Sequence, residues 1–520
     1  MGISCMRKEI EIKLNPSEAS DPVRWKHIAS QVLGISPGKI FHLRPLKRSI
    51  DARGKVIFRL KLEVFIGEHL PEAEKIKPPA FLSVNSKRPV IIVGAGPAGL
   101  FAALTLISRG LKPIILERGK DVKARKYDIS MLNRGVSLNE DSNYCFGEGG
   151  AGTFSDGKLY TRSTKRGNVY DILKTFVAHG ASPEILYDAH PHIGTDKLPN
   201  IIAAMRRTII ESGGEILFNK RVTRLLIKDG KIKGVADEAG NEYNAASVIL
   251  ATGHSARDVY SMLRGMGILQ QPKPFALGIR IEHPQQLIDS IQYHIPERGP
   301  FLPASAYNLV TQVEGRGVFS FCMCPGGTIV PAATVNGEIV VNGMSNSRRN
   351  SPFANSGIAV AVEPADWHEF NSHGEFAALA FQGAIEQKAW EAAGKTFRAP
   401  AQRMVDFIDN KSSITLPENS YNPGLVSCDM NEILPEFITS RLRKAFIDFD
   451  HKMKGYLTNE AVITAVESRT SSPVRIPRDE DTLMHPQVQG LYPCGEGAGY
   501  AGGIVSSAID GVSVALKAKG

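Results

Sequence analysis

Three glycines with the spacing of a phosphate-binding turn, Gly94, Gly96 and Gly99, indicate the main chemistry of this chain. Glycine at the first position permits a tight turn, and at the second it lets a pyrophosphate approach the backbone. At the third it lets a helix pack closely on a strand. Glu117 follows 23 residues after Gly94, where a carboxylate can bind ribose hydroxyls. The combination predicts a dinucleotide site; the alternative is a glycine-rich turn in an ordinary α/β domain.

The neighbouring residues predict the βαβ unit that would position these groups. Residues 90–93 are a short apolar run, which is typical of a buried parallel strand. A helical pattern of apolar residues then ends at Gly110, and a second strand over 112–116 leads into Glu117. The N-terminus of the helix would offer backbone N–H groups and partial positive charge to phosphates.

Composition places the chain among soluble globular proteins. Its 520 residues suffice for two or three domains, and 42% are hydrophobic and 22% charged. No apolar run reaches the roughly 18 residues of a membrane span, and the N-terminus lacks the apolar core of a secretory signal. We therefore expect a cytoplasmic protein without a membrane span.

The six cysteines are too few for a disulfide scaffold. None belongs to a C-x-x-C pair, so we expect neither a zinc site nor a thioredoxin-like site, and no metal. Cys322 and Cys324 form the one close pair. Two small residues in a buried strand are the simplest interpretation of this pair, and a redox relay with a cofactor is the alternative.

Residues 1–80 read as a separate basic module. They contain 15 Lys and Arg against 9 Asp and Glu, and so supply +6 of the net charge of +9. A strand near 10–14, a helix starting at Asp21, a strand over 39–46, a basic loop over 47–54 and a strand over 58–64 predict a βαββ, ferredoxin-like module. A charged, proline-containing linker follows at 75–79.

The remaining chain divides into segments of different character. Five glycines between 147 and 157 would let backbone N–H groups line an anion site. Other patterns predict a helix over 198–213, strands at 215–218, 221–227 and 247–253, and a hairpin at 228–231. Residues 271–464 are richer in proline, with strands at 318–324 and 334–341, a hairpin signal at Asn336-Gly337, and helices near 374–393 and 431–446.

Four features occur in a recognisable order: the Gly94–Gly99 turn with Glu117, the strand at Arg221-Val222, the run Ala251-Thr252-Gly253, and Gly495-Glu496 before a C-terminal helix. This order resembles FAD-dependent oxidoreductases of the glutathione-reductase and p-hydroxybenzoate-hydroxylase type. Longer runs resemble a largely uncharacterised group of FAD-dependent dehydrogenases with a basic N-terminal extension. These runs cover 147–159, 253–258, 275–284, 321–327, 342–345 and 467–473.

The resemblance implies an α/β fold with three parts. Residues 81–270 and 465–520 would form a Rossmann-type FAD-binding domain. Residues 271–464 would form an inserted, mainly antiparallel α+β substrate domain. Residues 1–80 would be the small N-terminal βαββ ferredoxin-like module.

The resemblance also implies FAD as cofactor and assigns its contacts. The glycine turn would bind the pyrophosphate, Glu117 the adenosine ribose, and the Val222 backbone the adenine. Glu496 stands where such enzymes usually have Asp. The residues expected to bind FAD are Gly94, Gly96, Pro97, Ala98, Gly99, Glu117, Arg118, Gly149, Gly150, Val222, Thr252, Gly253, Gly495, Glu496, Gly503 and Ile504.

The electron donor stays open. Arg118 after Glu117 would suit the phosphate of NADP, but Glu117 and the C-terminal motif favour FAD. The sequence has no second strand–G-x-G-x-x-G–helix unit, so we expect no dedicated NAD(P)H domain. A transiently bound NAD(P)H, a protein donor or the substrate itself would then supply the electrons.

The unusual motifs contain eight candidates for catalysis: His254, Arg280, Glu282, His283, Cys322, Cys324, Glu467 and Arg469. Of these we favour Arg469, His254, Cys322 and Cys324. Flavin chemistry often needs one acid or base beside the cofactor, and each candidate could equally hold a structural hydrogen bond. Arg280 and Glu282 share one face of a strand, which predicts a mutual ion pair.

Two functions follow. The first is an FAD-dependent oxidoreductase, a dehydrogenase or reductase, acting on a small or medium organic molecule. The second is a flavin-binding protein whose basic N-terminal module binds nucleic acid or a protein partner. A solvated charged face explains the basic module equally well, and the sequence predicts no oligomeric state.

Overall fold

The structure, a computed structural model, describes residues 6–69, 71, 76, 81–161 and 167–520. Apart from residue 76, the predicted linker at 75–79 lies outside the described residues. No helix in the described ranges has the length and apolar character needed to cross a bilayer.

The N-terminal elements form an antiparallel sheet with strand order β1–β3–β2, packed on a helix. They are β1 (Met6–Leu14), α1 (Pro16–Ala19), α2 (Pro22–Leu33), β2 (Ile40–Asp51) and β3 (Ile57–Ile66). The predicted helix start is confirmed, since the Asp21 side chain accepts hydrogen bonds from the first-turn N–H groups of Val23 and Arg24. The predicted basic loop over 47–54 is wrong at its start. Residues 47–51 continue β2 because they pair with 57–61 of β3.

Residues 81–270 supply most of a parallel sheet and its helices. The elements are β4 (Pro89–Val93), α3 (Pro97–Ser108), β5 (Lys112–Leu116), α4 (Val122–Asn133), α5 (Val169–Ala178), α6 (Leu198–Glu211), β6 (Glu215–Leu217), β7 (Val222–Lys228), β8 (Lys231–Asp237), β9 (Glu242–Asn244), β10 (Val248–Leu250) and α7 (Arg257–Gly265). The predicted helix over 198–213 and the hairpin at 228–231 are confirmed.

Residues 271–520 contain the remaining elements. They are β11 (Gln271–Pro272), β12 (Phe275–Pro284), α8 (Gln285–Tyr293), β13 (Val310–Val313), β14 (Arg316–Cys324), β15 (Gly327–Pro331), β16 (Val341–Ser345), β17 (Phe353–Val362), α9 (Ala377–Ala392), β18 (Ala399–Arg403), α10 (Met404–Ile408), β19 (Leu425–Ser427), α11 (Met430–Ile433), α12 (Glu436–Lys452), β20 (Val462–Glu467), β21 (Val474–Arg475), β22 (Leu491–Pro493) and α13 (Ile504–Lys517).

The parallel sheet has strand order β22–β10–β4–β5–β6 and is covered on both faces. Side chains alternate along β4. Val90 and Ile92 pack among residues of α3, α5, α6 and α13, whereas Ile91 and Val93 pack among residues of β7, β8 and α7. A strand buried on both faces reads as a continuous apolar run, which is the pattern of 90–93. This is a Rossmann-type arrangement. Because β4, β10 and β22 are parallel, their carboxyl ends lie at the same edge of the sheet.

A second, seven-stranded sheet has the order β13–β14–β17–β12–β20–β18–β19. Its pairs are antiparallel except β18 with β19. The predicted strand over 334–341 is wrong. Only residue 341 lies in a strand. The pairing of β15 with β16 ends at Pro331 and Val341, and Asn336-Gly337 lies in the long loop that joins the two strands.

The N-terminal module contacts both larger parts of the chain. Arg48 binds the Asp188 carboxylate with two hydrogen bonds of 2.6 and 3.0 Å, and its N–H donates to the Tyr187 carbonyl. On the other side, Tyr293 and Leu302 are buried in the core that β1, β2, β3 and α2 form. The module is therefore tied to the remaining structure by an apolar contact and an ion pair.

Candidate functional site

The turn between β4 and α3 contains two kinds of glycine. Gly94 and Gly99 are packed against other backbone atoms, whereas Gly96 has open space beside it. A Cβ at Gly94 would lie 2.4 Å from the Ala251 carbonyl oxygen, and one at Gly99 would lie 2.0 Å from the Gly94 carbonyl oxygen. Neither position admits a side chain. A Cβ at Gly96 would meet no atom closer than the Gly150 Cα at 3.9 Å, so this backbone faces open space. Pro97 and Ala98 then begin α3, with Gly96 as its N-cap.

The Glu117 carboxylate is oriented by three backbone donors. It accepts hydrogen bonds from the N–H groups of Ala95 at 2.8 Å, Gly119 at 2.9 Å and Gly147 at 3.0 Å. A carboxylate has about four acceptor positions, so these bonds leave it able to accept one more. The side chain is buried at the end of β5.

The glycine-rich segment folds back onto this turn. The Gly149 N–H donates to the Ala95 carbonyl at 2.8 Å, and Gly149 and Gly150 have φ angles of +79° and +61°. A Cβ at Gly150 would lie 3.1 Å from the Gly96 Cα. L side chains rarely adopt such angles, so glycine is needed for this close approach of two backbones.

The C-terminal loop closes the site from a third side. A Cβ at Gly497 would lie 2.4 Å from the Gly253 carbonyl oxygen. The Gly495 N–H donates to Asp510 of α13 at 2.7 Å, which fixes the start of the loop on the following helix. Burial raises the pKa of Glu496 to about 7, and the positive charge of Lys273 opposes this shift.

The structure thus brings together most of the predicted cofactor residues. Around one cleft at the edge of the parallel sheet lie Gly94, Gly96, Pro97, Ala98, Gly99, Gly149, Gly150, Thr252, Gly253, Gly495, Glu496, Gly503 and Ile504. Val222 begins β7, two residues after Lys220, whose N–H donates to the Glu117 carbonyl. Arg118 is engaged elsewhere, since its guanidinium binds Asp141 and Asp258 and stacks on Phe146.

These residues fit the pyrophosphate and ribose of an FAD molecule. Gly96 offers an unobstructed backbone beside the N-terminus of α3, which favours negative charge. Gly502 and Gly503 are likewise exposed before α13, and a Cβ on either would meet no atom within 4 Å. Two helices therefore begin at open glycines of the same cleft.

Arg469 belongs to a buried charge cluster, which we define as Arg257, Glu338, Glu386 and Arg469. The Arg469 guanidinium donates to Glu338 at 3.1 Å and to Glu386 at 3.0 Å. Arg257 donates to the same carboxylates, each at 2.7 Å. Each arginine binds both carboxyl groups, so the simplest role of Arg469 is to hold this cluster together.

The cluster sets the protonation of its neighbours. Burial would raise the pKa of Glu386, but Arg257 and Arg469 lower it well below its usual range. Burial and the Glu386 charge raise the pKa of Glu338 to about 7. Burial and the positive charge of Arg469 lower the pKa of His254 to about 4, so this imidazole is neutral at pH 7. His254 Nδ1 lies 2.7 Å from the Ser255 hydroxyl oxygen.

Cys322 and Cys324 lie on a different wall, beside Lys158. The prediction of two buried cysteines is half wrong, because Cys324 is buried while Cys322 is exposed. The pairing of β14 with β17 shifts register between Phe321 and Cys324, and Cys322 adopts a left-handed φ of +46°. This β-bulge turns its side chain out of the sheet. Desolvation of the thiol by the surrounding protein nevertheless raises the pKa of Cys322 to about 11.

The predicted ion pair between Arg280 and Glu282 is wrong. Arg280 instead binds Glu467 on the neighbouring strand β20 at 2.7 Å, and Glu282 accepts from the N–H of Ser420 at 2.8 Å. Both side chains point to one face of β12, as the spacing required. Cross-strand and loop partners lie closer than the second neighbour along the strand.

Sequence reasoning missed several polar residues that the fold places at these walls. Arg257 lies in the run 253–258 and Lys158 in the run 147–159. The resemblance of these runs to the dehydrogenase group is the signal that could have identified both residues. Glu338 and Glu386 come from a loop and from α9, more than 80 residues from Arg257, and no spacing links them.

Comparison with known proteins supports the interpretation of the cleft. Residues 274–470 match a family model described as the C-terminal domain-like part of an FAD-dependent protein, and residues 88–283 match a model of pyridine nucleotide-disulphide oxidoreductases. Residues 6–65 match a domain of unknown function.

Relatives extend over most of the chain. A protein of Clostridium beijerinckii, named as uncharacterized, is 40% identical over 505 residues, which is 93% of either chain. The thiamine thiazole synthase of Methanococcus maripaludis is 28% identical over 186 residues, covering 34% of this chain and 59% of that one. The crystal structure of CtdE in complex with FAD covers 83% of this chain and 84% of its own, with 12% identity and a TM-score of 0.33.

A model of an FAD-dependent protein, a model of pyridine nucleotide-disulphide oxidoreductases and a relative that matches almost end to end agree with the glycine-lined edge of the parallel sheet. The chain belongs to the FAD-dependent oxidoreductases, in one family with the Clostridium beijerinckii protein, and its cofactor is FAD.

Proposed function

We propose that this protein is a dehydrogenase or reductase that passes electrons between bound FAD and a small or medium organic molecule. One observation carries the proposal. Four segments distant in sequence, 94–99, 149–152, 251–253 and 495–504, surround one cleft at the edge of the parallel sheet. When bound, FAD supplies the capacity to accept and release hydride or single electrons.

The chain's own residues would bind and orient the cofactor. The Gly96 backbone and the N-terminus of α3 would hold the pyrophosphate, and Glu117 would accept a hydrogen bond from the adenosine ribose. The half-buried Glu496 would contact the pyrophosphate or the ribityl chain. The N-terminus of α13 at Gly503 and Ile504 would face the pyrimidine edge of the ring, where a reduced flavin carries negative charge.

We propose the same division of labour among segments as the sequence indicates. Residues 81–270 and 465–520 would hold FAD, residues 271–464 would bind the substrate, and residues 1–80 would form an accessory ferredoxin-like module. The seven-stranded sheet supports this division because the Cys324 thiol of its strand β14 lies 3.3 Å from the Lys158 ammonium, just beyond the glycine-rich segment. Its strand β20 ends at Glu467, slightly beyond the proposed boundary at 464.

The alternative is a flavin-binding protein whose basic module binds nucleic acid or a protein partner. Contacts in the module favour the enzyme instead, because its cations lie beside anions. Examples are Arg44 with Glu63, Arg48 with Asp188, Arg59 with Glu11 and Lys61 with Glu9. Such pairs reduce the local positive potential that this face would offer to a polyanion.

Anaerobic reduction of the purified protein tests the proposal. The protein should be yellow, with absorption near ~450 nm, and extraction should yield FAD and not FMN. NADH, NADPH or dithionite would reduce it, and oxygen, a quinone or an enoyl compound would then be offered to restore the colour. A metabolite library that bleaches the oxidised protein would identify the substrate. A colourless protein that takes up only NAD would reject the proposal. An FAD protein that turns over no compound but binds RNA would favour the alternative.

A further inference from the structure

The wall around Lys158 carries more positive than negative charge. The Asp156 carboxylate binds Arg349 at 2.6 Å and lies 3.3 Å from the Lys158 ammonium. Arg280 and Glu467 form a second pair at 2.7 Å. Three cations thus face two carboxylates, and one positive charge is left over.

The neighbouring titratable groups do not cancel this charge. Burial and the charge of Arg349 lower the pKa of His192 to about 4, so its imidazole is neutral at pH 7. Cys322 is a neutral thiol, because burial raises its pKa to about 11. Burial works to lower the pKa of Lys158, but Asp156 and Cys324 raise it overall, so the ammonium stays charged.

Lys158 is the group that presents the excess charge to solvent. Its side chain is 34% exposed, whereas Arg349 is 13% exposed and Arg280 is fully buried. Within the described residues, its ammonium has two partners, the Asp156 carboxylate and the Cys324 thiol, each at 3.3 Å. An ammonium has three N–H donors, so one is left for a ligand.

The backbone holds Lys158 and Cys322 at fixed positions. The N–H of Leu159 donates to the Pro191 carbonyl at 2.9 Å, and Lys158 itself forms an isolated β-bridge with His192. Arg280 donates to the Cys322 carbonyl at 3.3 Å and so fixes the bulge that exposes this thiol.

The glycine-rich segment connects this wall to the proposed cofactor site. The glycine-rich segment starts against Gly96 at residues 149–150 and reaches Lys158 eight residues later. Lys158 therefore follows the residues that would hold the pyrophosphate and contacts Cys324 of β14, in the segment that we propose binds the substrate.

We propose that Lys158 binds a carboxylate of the organic substrate, with the Cys322 thiol beside it on the wall of the cleft. This inference rests on the proposed function. A single excess positive charge matches a monoanion better than a phosphate dianion, and a partly enclosed ammonium strengthens a charge-assisted hydrogen bond. The substrate class is then an organic acid.

Benzoate and benzamide are matched probes, because they have the same shape and only benzoate carries a charge. Their binding to the FAD-loaded protein would be followed by the perturbation of the flavin absorption spectrum. We expect Lys158→Met to raise the Kd of benzoate about tenfold or more, since a charge-assisted hydrogen bond is lost. Lys158→Arg should keep the affinity within a few-fold, and benzamide should bind all variants alike.

Lys112→Met is the control, because Lys112 is also a partly exposed, ion-paired lysine but lies at the opposite end of β5. Unchanged benzoate affinity in FAD-loaded Lys158→Met overturns the inference, as does an absence of saturable benzoate binding in the unmodified protein. Loss of FAD from Lys158→Met also overturns it, because Lys158 would then be a cofactor contact. A protein that never holds FAD would reject the proposed function itself.

Discussion

The Glu117 carboxylate accepts a hydrogen bond from the Ala95 backbone N–H at 2.8 Å, across the turn between β4 and α3. The carboxylate therefore positions the glycine turn as well as offering an oxygen to a ligand. Its other donors, the N–H groups of Gly119 and Gly147, come from the chain after β5 and from the glycine-rich segment. One side chain therefore links the glycine turn, the chain after β5 and the start of the glycine-rich segment.

Replacing this carboxylate should weaken FAD binding. In Glu117→Gln, a side-chain NH₂ group must face at least one backbone N–H that now donates to an oxygen. An unsatisfied buried donor costs about 1–3 kcal/mol, so we expect the Kd of FAD to rise by one to two orders of magnitude. Fluorescence titration of the FAD-free protein measures this change. Glu215→Gln, at the exposed end of the same sheet, is the control, and equal affinities in both variants would contradict the role of Glu117.

Valine at Gly96 should remove FAD without unfolding the protein. A Cβ there meets no protein atom closer than 3.9 Å, so the added side chain enters the space where the pyrophosphate is proposed to lie. Circular dichroism should stay native while the flavin absorption of the purified protein is lost. Gly265→Val is the matched control, because Gly265 also has open space around it, at the end of α7. Stoichiometric FAD in Gly96→Val would show that the cofactor is placed wrongly.

The buried charge cluster should be sensitive to the loss of one anion. Glu386→Gln leaves Arg257 and Arg469 to share Glu338, and breaking a buried ion pair on one side costs about 3–5 kcal/mol. We expect a clear fall in the thermal unfolding midpoint. Glu242→Gln removes an exposed partner of Arg224 and should cost under about 1 kcal/mol. Similar midpoints for the two variants would mean that the cluster is not buried as described.

Glu282 should make stability depend on pH. Burial raises its pKa to about 7, with the bonds from Ser420 opposing the shift. Because the folded state keeps a proton that the unfolded state releases near the ordinary value of 4.5, stability falls as pH rises between these values. The loss of stability caused by Glu282 reaches about 3 kcal/mol above pH 7.

Glu282→Gln removes this titration. The unfolding midpoint of the variant minus that of the unmodified protein should increase as pH rises from 4.5 to 7, and should be constant above pH 7. Glu391→Gln, on the exposed end of α9, should show no such trend. A difference that is constant with pH would contradict a raised pKa at Glu282.

Local patterns predicted the elements of the parallel sheet because each pattern is set by a few adjacent residues. The run 90–93, the glycine turn and the helix that follows are all specified within 20 residues. The strand predicted over 334–341 failed for the same reason. The apolar residues at 335 and 339–341 fit a strand, but Ile339 and Val340 instead bury their side chains in a loop.

Long-range partners set the polar part of the site, and the sequence contains no local signal for them. Arg280 binds Glu467, 187 residues away, in place of Glu282 two positions along the same strand. Cys322 is exposed because a bulge interrupts the pairing of β14 with β17, and nothing in the strand's own residues marks the bulge. Such contacts follow from how strands distant in sequence pair within one sheet, which a single sequence does not state.

Truncations should separate the parts of the chain that hold FAD from the part that does not. A chain that ends before Gly490 lacks β22, the Gly495–Gly497 loop and α13. That helix packs so tightly on α3 that a Cβ at Gly511 would lie 2.1 Å from the Ala98 carbonyl oxygen. We expect this truncation to lose FAD completely.

A chain that starts near Pro79 lacks the N-terminal sheet of β1, β2 and β3. Because that sheet has its own core, the shortened chain should still bind FAD. It also loses the apolar cover of Tyr293 and Leu302 and the ion pair between Arg48 and Asp188, so its unfolding midpoint should fall. Tyr293→Ser with Leu302→Ser, made in the truncated chain, would keep the newly exposed surface soluble. The ratio of FAD to protein after gel filtration decides between the two truncations. Equal ratios, or loss only in the N-terminal truncation, would show that the FAD-binding part has other boundaries.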